Sequence, residues 1–145
     1  MAKDIYTARA HVVGGRAEGH GVTSDGNLDV QLRRPTEMGG DGSGTNPEQL
    51  FAVGYAACFE GALQAVARRQ KVDPGDVAID SRVGLRSTAD RAFELTVGLD
   101  VTLPGITATD DAVALVKAAH AVCPYSNATR GNIDVRLTAN GQVVD

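Results

Sequence analysis

The sequence predicts an α+β fold, and three stretches carry that prediction. In "VTSDGNLDVQL" an Asp-Gly pair, Asp25-Gly26, stands between two extended pieces, a strong hairpin cue. The run "NPEQLFAVGYAACFEGALQAVARRQ" reads as a nearly all-apolar helix. Further on, Phe93, Leu95, Val97, Leu99, Val101 and Leu103 alternate with Glu94, Thr96, Gly98, Asp100 and Thr102, which is a long strand with one buried face.

Taken in order, Ile5 to Val13 mixes short apolar and polar residues without helical period and reads as extended; "GGRAEGHG" then interrupts it. After the Asp25-Gly26 hairpin, "RRPTEMGGDGSGTN" is a Gly-rich loop of the length that tends to be functional or mobile. Asn46 suits a helix N-cap, Pro47 the first helical position and Gln49 the capping-box position, so a helix starts here. It is expected to run to about Lys71, where "VDPGD" stops it. Val77, Ile79, Val83 and Leu85 share one parity, and "STADRA" turns that strand into the next. "LPGITATDD" leads into a second helix, Asp110 to about Val122, with Thr109 as cap and Cys123-Pro124 as terminator. Ile133, Val135 and Leu137 make a last strand. The predicted order is β-β-β-α-β-β-α-β, with strands paired mainly as hairpins. No repeat or low-complexity segment is present, and residues 1–145 read as a single domain.

Composition narrows the function classes. With 145 residues the chain can bury a real core, and 43 % hydrophobic with 22 % charged residues is an ordinary globular balance. A net charge of -4 and no Lys/Arg cluster argue against nucleic acid. No apolar run is read as approaching the roughly 20 residues that span a bilayer. "MAKDIYTARAHV" lacks a signal-peptide core and cleavage site, so a cytoplasmic protein is expected. Two cysteines in a reducing compartment are not a structural framework; they are inert, metal-binding or redox-active.

The long helix carries Gly54, Ala57, Cys58, Gly61, Ala62 and Ala65 as a stripe of small residues. Each interior glycine weakens a helix by about 1 kcal/mol relative to Ala, and close approach of another element is the usual offset. Two helices in one chain supply little material to bury this one all round. A homodimer with these helices packed across a two-fold axis does so.

Two readings of Cys58 stay open on local sequence: a small core residue or a nucleophile. Cys123, at a helix C-terminus, sits at the end of the macrodipole that disfavours a thiolate, which makes it the poorer nucleophile. A reactive Cys58 needs a positive neighbour, and Arg16 in "GGRAEG" is the most notable one, against the alternative of a solvent-exposed loop arginine. Glu48, in the first helical turn, either complements the dipole or serves a site. It precedes Cys58 by ten residues, about 15 Å along one helix, so it cannot touch its own Cys58 but could approach a partner chain's if the two helices cross antiparallel. His11, His20 and His120 lack metal-ligand spacing, "GGDGSG" lacks the GK[ST] ending of a phosphate loop, and no GxSxG elbow exists.

"NPEQLFAVGYAACF" together with the later "VCPYSNATRGN" resembles the organic hydroperoxide resistance (Ohr) branch of the Ohr/OsmC family, over the whole chain. Val53, where alanine is expected, is the one mild departure. The resemblance implies an OsmC/Ohr-like α+β fold, with antiparallel sheets wrapped around long central helices in an intertwined homodimer. It implies a thiol-dependent peroxidase that reduces alkyl or lipid hydroperoxides, with Cys58 in the peroxidatic and Cys123 in the resolving place. Arg16 and Glu48 take the place of the pair that supports the thiolate. Phe51, Phe59 and Tyr125 are candidates for an apolar substrate lining, with core packing as the other reading. No bound cofactor or metal is implied; dihydrolipoyl groups on a lipoylated protein are the implied reductant. An OsmC-type peroxidase of different substrate preference and a non-catalytic redox-sensing or ligand-binding dimer are the rival expectations.

Overall fold

The computed structural model describes residues 2–145, and the chain divides into two compact units, Met1–Leu50 and Phe51–Asp145. In the first, β1 (Ala10–Val13), β2 (Glu18–Thr23) and β3 (Asp29–Arg33) form an antiparallel meander in that spatial order. The interruption between β1 and β2 is shorter than the sequence suggests, because Glu18, Gly19 and His20 already pair with β3. Gly14 makes the tight turn: its φ is +76°, and a Cβ there would stand 2.3 Å from the Glu18 carbonyl oxygen. Asp25 closes the predicted hairpin by accepting from the Thr23 hydroxyl and the Asn27 backbone N–H. The Gly-rich loop holds one 3₁₀ turn, Thr36–Met38, and returns so that Thr45 bridges to Leu32.

α1 (Pro47–Gln70) starts as its sequence predicts. Asn46 Oδ1 accepts the Gln49 N–H at 2.9 Å, satisfying one of the orphan donors of the first turn. Gln49 does not complete the capping box; its side-chain oxygen accepts from the Thr45 hydroxyl instead. At the other end, Lys71 turns into the left-handed region, with φ 58°.

In the second unit Tyr55, Phe59, Leu63, Val66 and Ala67 are the buried face of α1. They join Val97, Leu99 and Val101 of β5 (Phe93–Thr102) and Ala112, Leu115, Val116 and Ala119 of α2 (Thr109–Val122) in one core. Burying a Phe59- or Leu63-sized side chain contributes roughly 1.5–3 kcal/mol. By length and composition α1 is apolar enough to cross a membrane, so the expectation that no run approaches that length is corrected. Its large side chains pack in this core, which accounts for the apolarity.

β4 (Ala78–Ser87) pairs antiparallel with β5 as the alternation predicts. Beyond that, the order of elements needs three corrections. Thr109 is the first helical residue of α2 and makes no cap bond; Ala108 holds the cap position. A six-residue helix, α3 (Pro124–Thr129), follows Cys123, and a short β7 (Gln142–Val144) follows β6 (Val135–Ala139). Finally, β6 pairs with β5 in parallel, giving a mixed sheet β4-β5-β6-β7. A parallel pair needs a crossover of a dozen residues or more, and α2 with α3 supplies it. Replacing Asn46 with Ala is expected to lower stability by about 1 kcal/mol; a urea midpoint that does not move would show that the cap is idle.

Candidate active site

The sequence places Cys58 in mid-helix and Cys123 far along the chain, and the fold brings them together. Their Sγ atoms are 3.8 Å apart, both cysteines being free. Cys58 is half-buried and Cys123 fully buried. A disulfide has an S–S length near 2.05 Å, so closing the gap takes a displacement of about 2 Å. Cys123 ends α2 with an extended backbone and is at the same time the cap residue of α3. The sequence reading saw only the first of these roles.

Burial pushes the Cys58 thiol above its ordinary range. The backbone N–H of Tyr125, an orphan donor in the first turn of α3, pulls the other way, and the neighbouring Cys123 raises it further. Within this unit a single N–H favours the anion.

In the first unit, Arg16 and Glu48 form a bidentate pair: Nη1 donates to Oε2 at 3.0 Å and Nη2 to Oε1 at 2.9 Å. Arg16 lies in the β1–β2 turn that Gly14 shapes, and Glu48 in the first turn of α1. The Arg16 guanidinium holds the Glu48 carboxyl below the usual carboxylate range. Arg16 is thus a paired residue, not a free loop arginine.

Of the three candidate lining residues, two lie together. The ring of Tyr125 sits 5.6 Å from that of Phe51 and 5.5 Å from that of Tyr55. Gly54 leaves room for it, since a Cβ there would come within 3.0 Å of the Tyr125 hydroxyl. Phe51 and Tyr125 open onto a groove of about 560 Å³, lined also by Phe93, Leu95, Ala128 and Ile133. Phe59 is fully buried among Tyr55, Leu63 and the other core side chains and does not line the groove, so core packing is its role.

A chain of hydrogen bonds that the sequence did not suggest runs beside the thiols. His120 Nδ1 lies 2.8 Å from Ser126 Oγ, Ser126 Oγ 2.8 Å from Tyr55 Oη, and Tyr55 Oη 3.2 Å from Thr129 Oγ1. Thr129 Oγ1 donates to the Ser126 carbonyl oxygen, which can only accept. The three hydroxyls and the imidazole Nδ1 thus form one continuous chain, in which each side-chain link can run in either direction. Among the described residues, no group of three or more His, Cys, Asp or Glu is placed to hold a metal.

Comparison with known proteins assigns the family. The model of the OsmC-like protein family matches residues 40–138. The organic hydroperoxide resistance protein of Xanthomonas axonopodis pv. citri is 54 % identical over 138 residues, covering 94 % of this chain and 95 % of that one. The chain belongs to the OsmC-like family. Within it, the chain sits in the Ohr branch. OhrB of Bacillus subtilis is 46 % identical over 134 residues, covering 92 % of this chain and 96 % of that one. Its crystal structure superimposes with a TM-score of 0.84, covering 93 % of this chain and 98 % of that one. An organic hydroperoxide resistance protein from Legionella pneumophila, 51 % identical, gives 0.89, with 94 % and 98 % covered.

The α+β fold expected of an Ohr-branch chain is therefore present, with the mixed sheet as its refinement. Val53, the one mild departure, lies exposed on α1. Of the four members of the hydrogen-bonded chain, only His120 stood out in the sequence, as a histidine without metal spacing. Burial holds the His120 pKa below its ordinary 6.5, with the Arg130 charge adding to the effect. The unfolded chain takes up that proton first, so this contribution is complete above pH 6.5 and is lost as pH falls through it. Acidification from about pH 7.5 to 5.5 is expected to lower the unfolding midpoint of the wild type more than that of His120→Gln; equal losses would mean that another group titrates.

Proposed function

We propose that this Ohr-branch protein is a thiol-dependent peroxidase that reduces organic hydroperoxides to alcohols and so protects against oxidative stress. The single observation that carries the reading is the pair of free thiols 3.8 Å apart; Tyr125, whose backbone N–H faces Cys58, also lines the aromatic-rimmed groove. The names of the relatives point to the same substrate class.

Cys58 is the peroxidatic residue. Its thiolate attacks the terminal peroxide oxygen; the O–O bond breaks, and an alkoxide leaves and takes up a proton, while Cys58 becomes a sulfenic acid. Cys123 is the resolving residue and condenses with the sulfenic acid to a disulfide and water. Because burial works against the Cys58 anion, a cation has to be brought to it. Arg16, oriented by Glu48, is that cation, and it also offsets the charge developing on the leaving alkoxide. Phe51 and Tyr125 receive the alkyl part of the substrate, and the mainly apolar groove, which Glu94, Thr129 and Asn132 also line, favours it over hydrogen peroxide.

The chain works as a homodimer, with residues 1–145 of each copy as one domain. Val53, Ala57 and Gly61 lie exposed along one face of α1, and a Cβ on Gly61 would meet nothing within 4 Å. Nothing in the single chain offsets that glycine. Packing of this face on a second α1, crossing antiparallel, supplies the offset and carries Glu48 of the partner subunit, with its arginine, toward Cys58. Dihydrolipoyl groups on a lipoylated protein are the proposed reductant, in the cytoplasm.

Two outcomes test this. After one equivalent of cumene hydroperoxide, both thiols per chain are expected to disappear rapidly into an intrachain disulfide, with no fast reaction in Cys58→Ser. Two untouched thiols would end the peroxidase reading and leave Cys58 as core packing. Slow oxidation without turnover would favour the redox-sensing dimer, a reading that the raised Cys58 pKa supports. Separately, Gly61→Ala improves helix propensity by about 1 kcal/mol, yet it is expected to weaken the dimer in sedimentation. A variant that is merely more stable would remove this face from the interface.

A further inference from the structure

The joint that carries Cys123 has little stability of its own. Cys123 links two helices through one extended residue, with φ -64° and ψ 125°. The second of them, α3, has six residues, far too few to persist without tertiary ties. Its position therefore depends on what holds it, and Ser126 is the centre of that hold. Ser126 is fully buried and hydrogen-bonds both His120 of α2 and Tyr55 of α1. Thr129, one turn later, hydrogen-bonds the same phenol and donates to the Ser126 carbonyl oxygen. At the α3 C-terminus, the Arg130 guanidinium donates to the His120 carbonyl oxygen and to Asn127 Oδ1.

The spacing ties this chain to the thiols. Tyr55 precedes Cys58 by one turn of α1, His120 precedes Cys123 by one turn of α2, and Ser126 follows Cys123 by three residues. Each helix that bears a cysteine thus also bears a member of the chain. Imidazole, serine, phenol and threonine are joined in one bonded chain, and a buried network whose members are all partnered favours a single packed arrangement.

We propose that Ser126, through its bonds to His120, Tyr55 and Thr129, is a positioning residue for the resolving step, holding the α2–α3 joint so that Cys123 faces Cys58. The inference rests on the peroxidase reading above. In that step the Cys123 sulfur attacks the Cys58 sulfur of the sulfenic acid, and an S–S bond forms as the S–O bond breaks. Hydroxide leaves with the Cys123 proton as water, and no outside reductant takes part. The peroxide step draws on Cys58, the Arg16–Glu48 pair and the substrate, with α3 contributing only the Tyr125 N–H and ring. Resolution needs two helices in register, which is why the two rates separate.

The test is quench-flow oxidation of the full-length protein with cumene hydroperoxide, read by intact mass with and without dimedone to trap the sulfenic acid. In Ser126→Ala, Cys58 oxidation is expected to stay within about threefold of wild type. Disulfide formation is expected to slow by about tenfold or more, as for a reacting group displaced by a fraction of an ångström, and the dimedone adduct rises accordingly. Tyr55→Phe keeps the ring and serves if the serine variant fails to fold. Thr129→Val should show the same split, whereas Thr129→Ser, which restores the hydroxyl, should resolve at nearly the wild-type rate. Wild-type disulfide formation in folded Ser126→Ala or Tyr55→Phe would overturn the inference. An equal fall in both steps would overturn it too, since that is general damage. If the wild-type protein itself loses no thiol to the hydroperoxide, the peroxidase reading fails first and the inference falls with it.

Discussion

The constraint on which the site depends is the rotational phase of α1. Successive residues of a helix are turned by roughly 100°, so seating Tyr55, Phe59 and Leu63 in the core decides where every other side chain of the helix points. Cys58, next to Phe59, falls at the margin of the buried face: close enough to meet Cys123, open enough to meet a substrate. The same phase leaves Val53, Ala57 and Gly61 outside. A cysteine one position on would stand in the core; one position back, it would stand among the exposed small residues. Packing energy spread over the whole second unit thus sets the placement of a single sulfur.

A half-buried thiol is a compromise. In the proposed peroxidase, desolvation would suit an alkyl chain and at the same time raise the energy of the attacking anion. The Tyr125 N–H offsets part of this, and its ring helps to shape the groove wall, so one residue serves both sides. In that proposal the remaining charge would come from Arg16, a cation already held in its own unit, because Glu48 satisfies two of its N–H groups and fixes the plane of its guanidinium.

What the sequence revealed follows the range of the interactions involved. The α1 start was legible because capping is local: Asn46, Pro47 and the first turn lie within four residues. The β4–β5 hairpin was legible because alternation and turn chemistry are local too. The parallel β5–β6 pairing was not, since register between strands joined by a crossover is set by how α2 packs. α3 and β7 were missed for being too short to impose a period. The cysteine pair was recognisable as a motif, but its 3.8 Å separation is a tertiary fact. Phe51 and Phe59 looked equivalent in the sequence and are not; Phe59 lies one turn beyond Tyr55, deep in the core, whereas Phe51 is at the helix start beside the groove. The Tyr55–Ser126 bond joins residues 71 positions apart, beyond any local pattern.

The joint between α2 and α3 has one more consequence, for the chain as a polymer. A Cys58–Cys123 bond would close a loop spanning 65 positions, through β4, β5 and α2. Tying that loop removes chain entropy from the unfolded state worth about 4 kcal/mol, comparable to a large share of a small domain's net stability. Each oxidation would therefore tighten the whole fold, and each reduction would loosen it again. Resistance to unfolding and to proteolysis would then record the redox state of the two thiols, highest in the disulfide form.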